Sequence, residues 1–144
     1  MADAPQVGQI IDHYFLWAAQ HAAGETEGRK VRPCLIIAVE RIGENAQPRV
    51  TVLPITSQAP RQGEAGIAIP NDIKARIGLD RRRPAWLAID EANSFTWPGF
   101  DLVPQRDGGF VRGVVTRGFF TSVRDAVIAL RLRGRTRIVE RDDE

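Results

Sequence analysis

Cysteine, histidine and lysine are scarce in this chain. Among 144 residues there is one cysteine (Cys34), two histidines (His13 and His21) and two lysines (Lys30 and Lys74). A single cysteine excludes a disulfide framework within the chain. No CxxC or HxxxH spacing occurs, so no metal and no cofactor is expected. The glycine loops that cradle phosphate in P-loop and Rossmann proteins are missing, and so is the nucleophile elbow of the hydrolases; composition alone leaves a Ser-His-Asp triad open. No apolar run approaches the roughly 18 residues of a membrane helix. The first residues carry Asp3 and no basic segment followed by an apolar one, unlike a secretory signal. With the lone thiol, these absences lead to the expectation of a cytoplasmic protein that does not contact membrane.

What the chain does have is arginine. Eighteen of its 20 basic residues are Arg, although the net charge is only +2. A guanidinium stays charged and donates two hydrogen bonds from one planar fork, which suits phosphate. A GC-rich source enriches arginine without any functional cause, so distribution matters. Between Phe110 and Val139 there are seven arginines and one acid, Asp125. That stretch is either a surface for an anionic partner or a solvated face. Hydrophobic residues at 43% and charged residues at 26% describe a globular chain. One domain is expected over 1–144, with its core at about 7–134 and an acidic tail at 140–144.

The patterning is mostly β. Gly8 to Trp17 reads as a first strand and Ala18 to Lys30 as a polar loop. Cys34 to Val39 is a short continuous apolar run, as in a strand buried on both faces. Arg49 to Pro54 alternates and reads as a strand that stops at the proline. Gly66 to Pro70, Ala85 to Asp90 and Phe110 to Thr116 read as further strands. Asn71-Asp72 suits the start of a short helix, and Asn93 to Pro104 reads as irregular. A helix is predicted over Ser122 to Arg133: Val123, Ala126, Val127 and Leu130 make one apolar stripe, Ser122 and Asp125 resemble a capping box, and Gly134 suits the residue after the helix. Residues 135–139 read as an edge strand. Many short strands with one late helix suggest a small curved barrel or two packed sheets.

Three segments put polar groups at one end of an apolar strand: Lys30-Val31-Arg32-Pro33 before Cys34, Pro54-Ile55-Thr56-Ser57, and Trp86-Leu87-Ala88-Ile89-Asp90. If those ends converge, a cation, two hydroxyls and a carboxylate share a site. With Gly8-x-Ile10 ahead of them, the Arg-Pro-apolar and Pro-x-Thr-Ser motifs resemble, in order and over roughly residues 7–130, the MazF/PemK/Kid toxins of bacterial toxin–antitoxin pairs. The resemblance implies an SH3-like barrel with a C-terminal helix, a homodimer, and metal-independent cleavage of single-stranded RNA. It also implies a cognate acidic antitoxin, with operator DNA contacted only through the toxin–antitoxin complex. By the same resemblance Arg32, Thr56 and Asp90 are the catalytic residues, with Ser57 beside them. The substrate 2′-OH would attack the adjacent phosphorus and leave a 2′,3′-cyclic phosphate.

The chain departs from that pattern at Ala88, where Kid-like members carry an arginine two residues before the aspartate. His13, Lys30 and Arg29 are the substitutes that the sequence offers, and all three are candidate substrate-binding residues. The departure keeps two other readings open. One is a gyrase poison on the same fold, as in the CcdB-type proteins; the other is a barrel that binds RNA or an acidic peptide without cutting. Trp17, Trp86 and Trp97 read as packing residues, with Trp97 able to stack on a base if exposed.

Overall fold

The apolar run at Cys34 lies in the longest strand, and the sheet is built outward from it. The computed structural model describes residues 4–26, 28, 30–41, 43 and 47–141. In chain order its elements are β1 (Gln9–Phe15), α1 (Ala18–Ala22), β2 (Lys30–Glu40), β3 (Arg49–Thr56), β4 (Gly66–Ala68), α2 (Asn71–Arg76), β5 (Trp86–Ala88), β6 (Glu91–Thr96), β7 (Leu102–Val103), β8 (Val111–Val114), α3 (Arg117–Leu132) and β9 (Arg137–Glu140). The strands pair in the order β4-β5-β3-β2-β1-β7. β6 adds to β3, β8 adds to β1, and β9 runs parallel to β6; the other pairings are antiparallel. Among the described residues no pairing joins β7 or β8 to β4, β6 or β9. The expected barrel is therefore an open sheet, mostly β with a C-terminal helix.

Side chains alternate across the strands, so both faces of the central strands are covered. Ile10, Leu35, Leu53, Ile55 and Leu87 face α2 and α3, where Ile73, Ile77, Val123 and Leu130 complete one apolar cluster. Ile11, Phe15, Cys34, Ile36, Val50 and Val52 face the other way and meet Phe95, Trp97 and Leu102. Cys34 and Ile36 against Leu35 is the two-faced burial that the apolar run predicts.

Several boundaries differ from the sequence reading. Helix α3 starts at Arg117, not Ser122, because Thr116 is its N-cap: its hydroxyl accepts the Phe119 N–H at 3.2 Å. Ser122 lies inside the helix and donates to the Gly118 carbonyl. Gly134 follows the helix at φ +67°, as its position suggested. The polar segment after Trp17 contains the short helix α1. Asn93 to Thr96, read as irregular, belongs to strand β6, where the Asn93 side chain is buried and hydrogen-bonded. Strand β3 continues through Pro54 to Thr56. The edge strand predicted at 135–139 is β9, and the packed structure continues through the buried Val139 and Arg141 past residue 134. Arg29 and the end of the acidic tail lie outside the described residues.

Asn93 ties these elements together. Its Oδ1 accepts from Leu16 N–H at 2.9 Å, from His13 Nε2 at 3.2 Å and from Arg141 at 3.3 Å, while its Nδ2 donates to the Leu16 carbonyl at 2.7 Å. Arg141 also donates to the Tyr14 carbonyl and pairs with Asp101. His13 is 1% exposed and stacks on Phe95 with ring centroids 4.9 Å apart. Burial, with the charge of Arg141, lowers its pKa from 6.5 to about 4, opposed by the Asn93 hydrogen bond.

A base held neutral in the folded state contributes fully above its unfolded pKa and loses that contribution as pH falls toward its folded pKa. His13 is therefore expected to cost roughly 3 kcal/mol of stability as pH falls from 6.5 to about 4. Urea unfolding across that range checks it: the difference between wild type and His13→Phe should carry this slope, and parallel curves would contradict it. Asn93→Ala strands several buried donors and should cost about 2–4 kcal/mol in the same assay.

Candidate functional site

Strand register assembles the site. His13 pairs with Arg32, and Thr56 pairs with Trp86. Cys34 pairs with Pro54, and extending that register sets Arg32 opposite Thr56. One cross-strand row thus runs His13, Arg32, Thr56, Trp86 on a single face of the sheet.

The carboxylates come from an irregularity beside that row. β5 and β6 both pair with the same edge of β3: Ile55 faces Leu87, and Val52 faces Asn93. Two residues of β3, Leu53 and Pro54, therefore lie opposite five, Ala88 to Ala92. The excess chain bulges out of the pairing and carries Asp90 and Glu91. Asp90 Oδ2 accepts the Ala65 N–H at 3.1 Å, and the Ile89 N–H returns to the Ala65 carbonyl at 3.1 Å. The segment between β3 and β4 is thereby stitched to the bulge.

Between them lies a cleft of about 290 Å³, with Trp17, Arg32, Thr56, Trp86, Asp90 and Glu91 in its walls. Lys30, Ser57 and Ala88 also line it. A second hollow of about 200 Å³ shares Lys30, Arg32, Thr56 and Ser57 and extends to Arg83. Of the residues nominated from sequence, Arg32, Thr56, Asp90, Ser57 and Lys30 are thus together. His13 is not: although it neighbours Arg32 in the row, its ring is buried against Phe95 and Asn93, out of reach of a substrate. Trp97 is buried too and packs edge-on against Phe110. Cys34 is fully buried, and burial pushes its thiol pKa up, so it offers no thiolate.

The cleft's aromatic walls are Trp17 and Trp86, and Trp17 is held in place by its backbone. Leu16 N–H goes to Asn93, Trp17 N–H to Gln20 Oε1 at 3.2 Å, and Ala18 N–H to Glu91 Oε1 at 2.8 Å. The segment returning from α1 passes close to this turn: a Cβ on Gly28 would lie 2.5 Å from the Tyr14 carbonyl oxygen. The Arg32 guanidinium lies over the Trp17 ring, 5.3 Å from its centroid. Half-burial lowers the Arg32 pKa, yet a guanidinium starts so high that it remains a cation.

Glu91 is the site residue that sequence reasoning missed. It lines the cleft beside Asp90, half-buried, and desolvation raises its carboxyl pKa, with the nearby charges of Asp90 and Glu64 acting in the same direction. Its adjacency to Asp90 was the available signal. Simple strand alternation would turn neighbouring side chains to opposite faces, and only the bulge brings both to one cleft.

The family model of PemK-like, MazF-like toxins of type II toxin–antitoxin systems matches residues 14–95, more than half of the chain. The chain belongs to that family. The matched span runs from Tyr14 to Phe95 and so contains the whole cleft wall from Trp17 to Glu91. None of the curated proteins matches the chain in sequence. Membership in this toxin family implies an antitoxin as partner. Among the described residues of the toxin, no helix is long and apolar enough to cross a membrane.

The contact of Arg32 with Trp17 is a partly exposed cation–π pair, so Arg32→Ala should lower stability by no more than about 1 kcal/mol. A thermal melt tests this, and a large loss would mean that Arg32 supports the fold.

Proposed function

We propose that this toxin is a metal-independent endoribonuclease that cleaves single-stranded RNA, acts as a homodimer and is neutralised by an acidic antitoxin. The observation that supports this reading is the cleft itself: a half-buried arginine, a threonine, a serine and a carboxylate stand together between two tryptophans. A phosphodiester needs a cation, hydroxyl donors and a proton acceptor; its flanking bases need π-faces.

In this reading Asp90 takes the proton of the ribose 2′-OH as its oxygen attacks the adjacent phosphorus. Ala65 N–H, bonded to Oδ2, orients the carboxylate. Arg32 stabilises the charge that develops on the phosphorane oxygens, and its contact with the Trp17 ring holds it in the cleft wall. Thr56 and Ser57 hydrogen-bond the non-bridging oxygens. Lys30, exposed at the mouth, draws in the backbone. The bond from phosphorus to the 5′-oxygen breaks, leaving a 2′,3′-cyclic phosphate and a 5′-hydroxyl. A DNA strand lacks the nucleophile.

The test is long single-stranded RNA incubated with antitoxin-free, folded protein in EDTA. Wild type should yield fragments ending in 2′,3′-cyclic phosphate. Arg32→Ala and Asp90→Asn should each be slower by about 10²–10⁴-fold. Intact RNA with wild type would reject the ribonuclease reading. Tight, salt-sensitive RNA binding without product would then favour a binding-only module, and DNA damage without loss of RNA in expressing cells a gyrase-directed toxin.

A further inference from the structure

In-line cleavage moves two protons, one off the 2′-oxygen and one onto the departing 5′-oxygen. Asp90 accounts for the first. At Ala88, where the resemblance leads to an arginine, a methyl group lines the cleft instead. His13 is sealed beneath Asn93, and Cys34 is buried. Two carboxyls besides Asp90 line the cleft: Glu64 is exposed and bonded to the Arg61 N–H, whereas Glu91 is half-buried.

We propose that Glu91 is the general acid of this cleft, giving its proton to the leaving 5′-oxygen while Asp90 receives the proton of the 2′-OH. The inference rests on the ribonuclease reading above and assigns it a second catalytic residue. Electrons and atoms balance. The 2′-oxygen–phosphorus bond forms, the phosphorus–5′-oxygen bond breaks, Asp90 ends protonated and Glu91 ends ionised. Exchange of one proton with water resets both.

The geometry favours a division of labour between the two carboxyls. Glu91 Oε1 is held by the Ala18 N–H, which fixes the carboxyl and leaves Oε2 to carry the proton. The charges around Glu91 come from several elements. Asp90 precedes it in the bulge, and Glu64 approaches from the segment before β4; both favour the protonated form. The Ala18 N–H on Oε1 and Arg137, its partner across β9, oppose them, and Lys30, Arg32 and Arg61 line the same cleft. Burial tips the sum toward the acid. Asp90 is held in the same way, by the Ala65 N–H on Oδ2, which orients it to receive the other proton. Two neighbouring carboxyls in one cleft, each fixed by a backbone N–H, supply the acid and the base that the reaction needs.

Glu91→Gln separates this role from a structural one, because the amide oxygen can still accept the Ala18 N–H while no proton can be given. The probe is a short RNA that wild type cuts at one bond, made with either oxygen or sulfur at the bridging 5′ position. Thiolate leaves without protonation. On the oxygen substrate, Glu91→Gln should lower kcat by about 10²–10³-fold and abolish the alkaline limb of the pH–rate profile. On the sulfur substrate it should match wild type. Equal losses on both substrates would overturn the proposal and leave Glu91 as a support for Trp17. Unchanged cleavage of the oxygen substrate would overturn it outright. Wild type inert on both would reject the ribonuclease reading, and the assignment of Glu91 with it.

Discussion

Leu16 gives both its backbone N–H and its carbonyl to a single side chain, the buried amide of Asn93. β1 has just ended, and a buried peptide unit without a strand partner costs several kcal/mol unless something else satisfies it. Asn93 does so from the far side of the sheet and draws in His13 and Arg141 as well. The arrangement dictates a tautomer: Nε2 of His13 donates to Asn93, so the neutral ring carries its proton there. The network is demanding, since a half-satisfied buried cluster is worse than an apolar one. Its consequence for function is local. With Leu16 pinned and Ala18 held by Glu91, Trp17 between them has little freedom and stands as a wall of the cleft.

The second constraint is Pro54. A proline has no N–H for a ladder, so strands tolerate it where pairing is interrupted. Along one edge of β3 the pairing stops at Val52 and resumes at Ile55, and Pro54 falls in that gap. The facing chain has five residues to cover the space of two, and the excess carries Asp90 and Glu91 clear of β3, with Glu91 paired instead to Arg137 of β9. One residue without a donor on β3 thereby coincides with two carboxyls beside Thr56. Asp90 and Thr56, 34 positions apart in sequence, meet because of an interrupted register.

These two devices explain which parts could be read from sequence. Continuous apolar runs, alternation and the α3 stripe depend on side-chain period, and they identified β1, β2, the start of β3 and the helix body. Arg32, Thr56, Ser57 and Asp90 were legible because each follows or precedes an apolar strand and matches a motif. What escaped depended on long-range hydrogen bonding. Asn93 and Ser94 are polar, so β6 read as irregular, yet both side chains are buried and the Asn93 amide is spent on buried partners. Thr116 was passed over because the apolar stripe begins seven residues later, at Val123. Arg141 looked like the start of a solvated tail, since nothing local announces a buried guanidinium with Asp101 as its counter-ion. His13 sits opposite Arg32, and only the packing of Phe95 reveals that its ring is unavailable.

Arginine at position 32 is best understood through the same chain of causes. A lysine there would present a strongly hydrated point charge on a flexible stem, with no plane to be oriented. A guanidinium held over Trp17 keeps its charge against the ring and can still offer a phosphate two donors at once. That geometry holds only while Trp17 is fixed, and Trp17 is fixed by hydrogen bonds from its neighbours to Asn93 and Glu91. The residue that we assign as acid thus also holds one end of the platform beneath the Arg32 cation. Proton donor and cation platform are joined through the single peptide N–H of Ala18, so a shift of the bulge that carried Glu91 away would loosen Trp17, and with it Arg32, in the same movement.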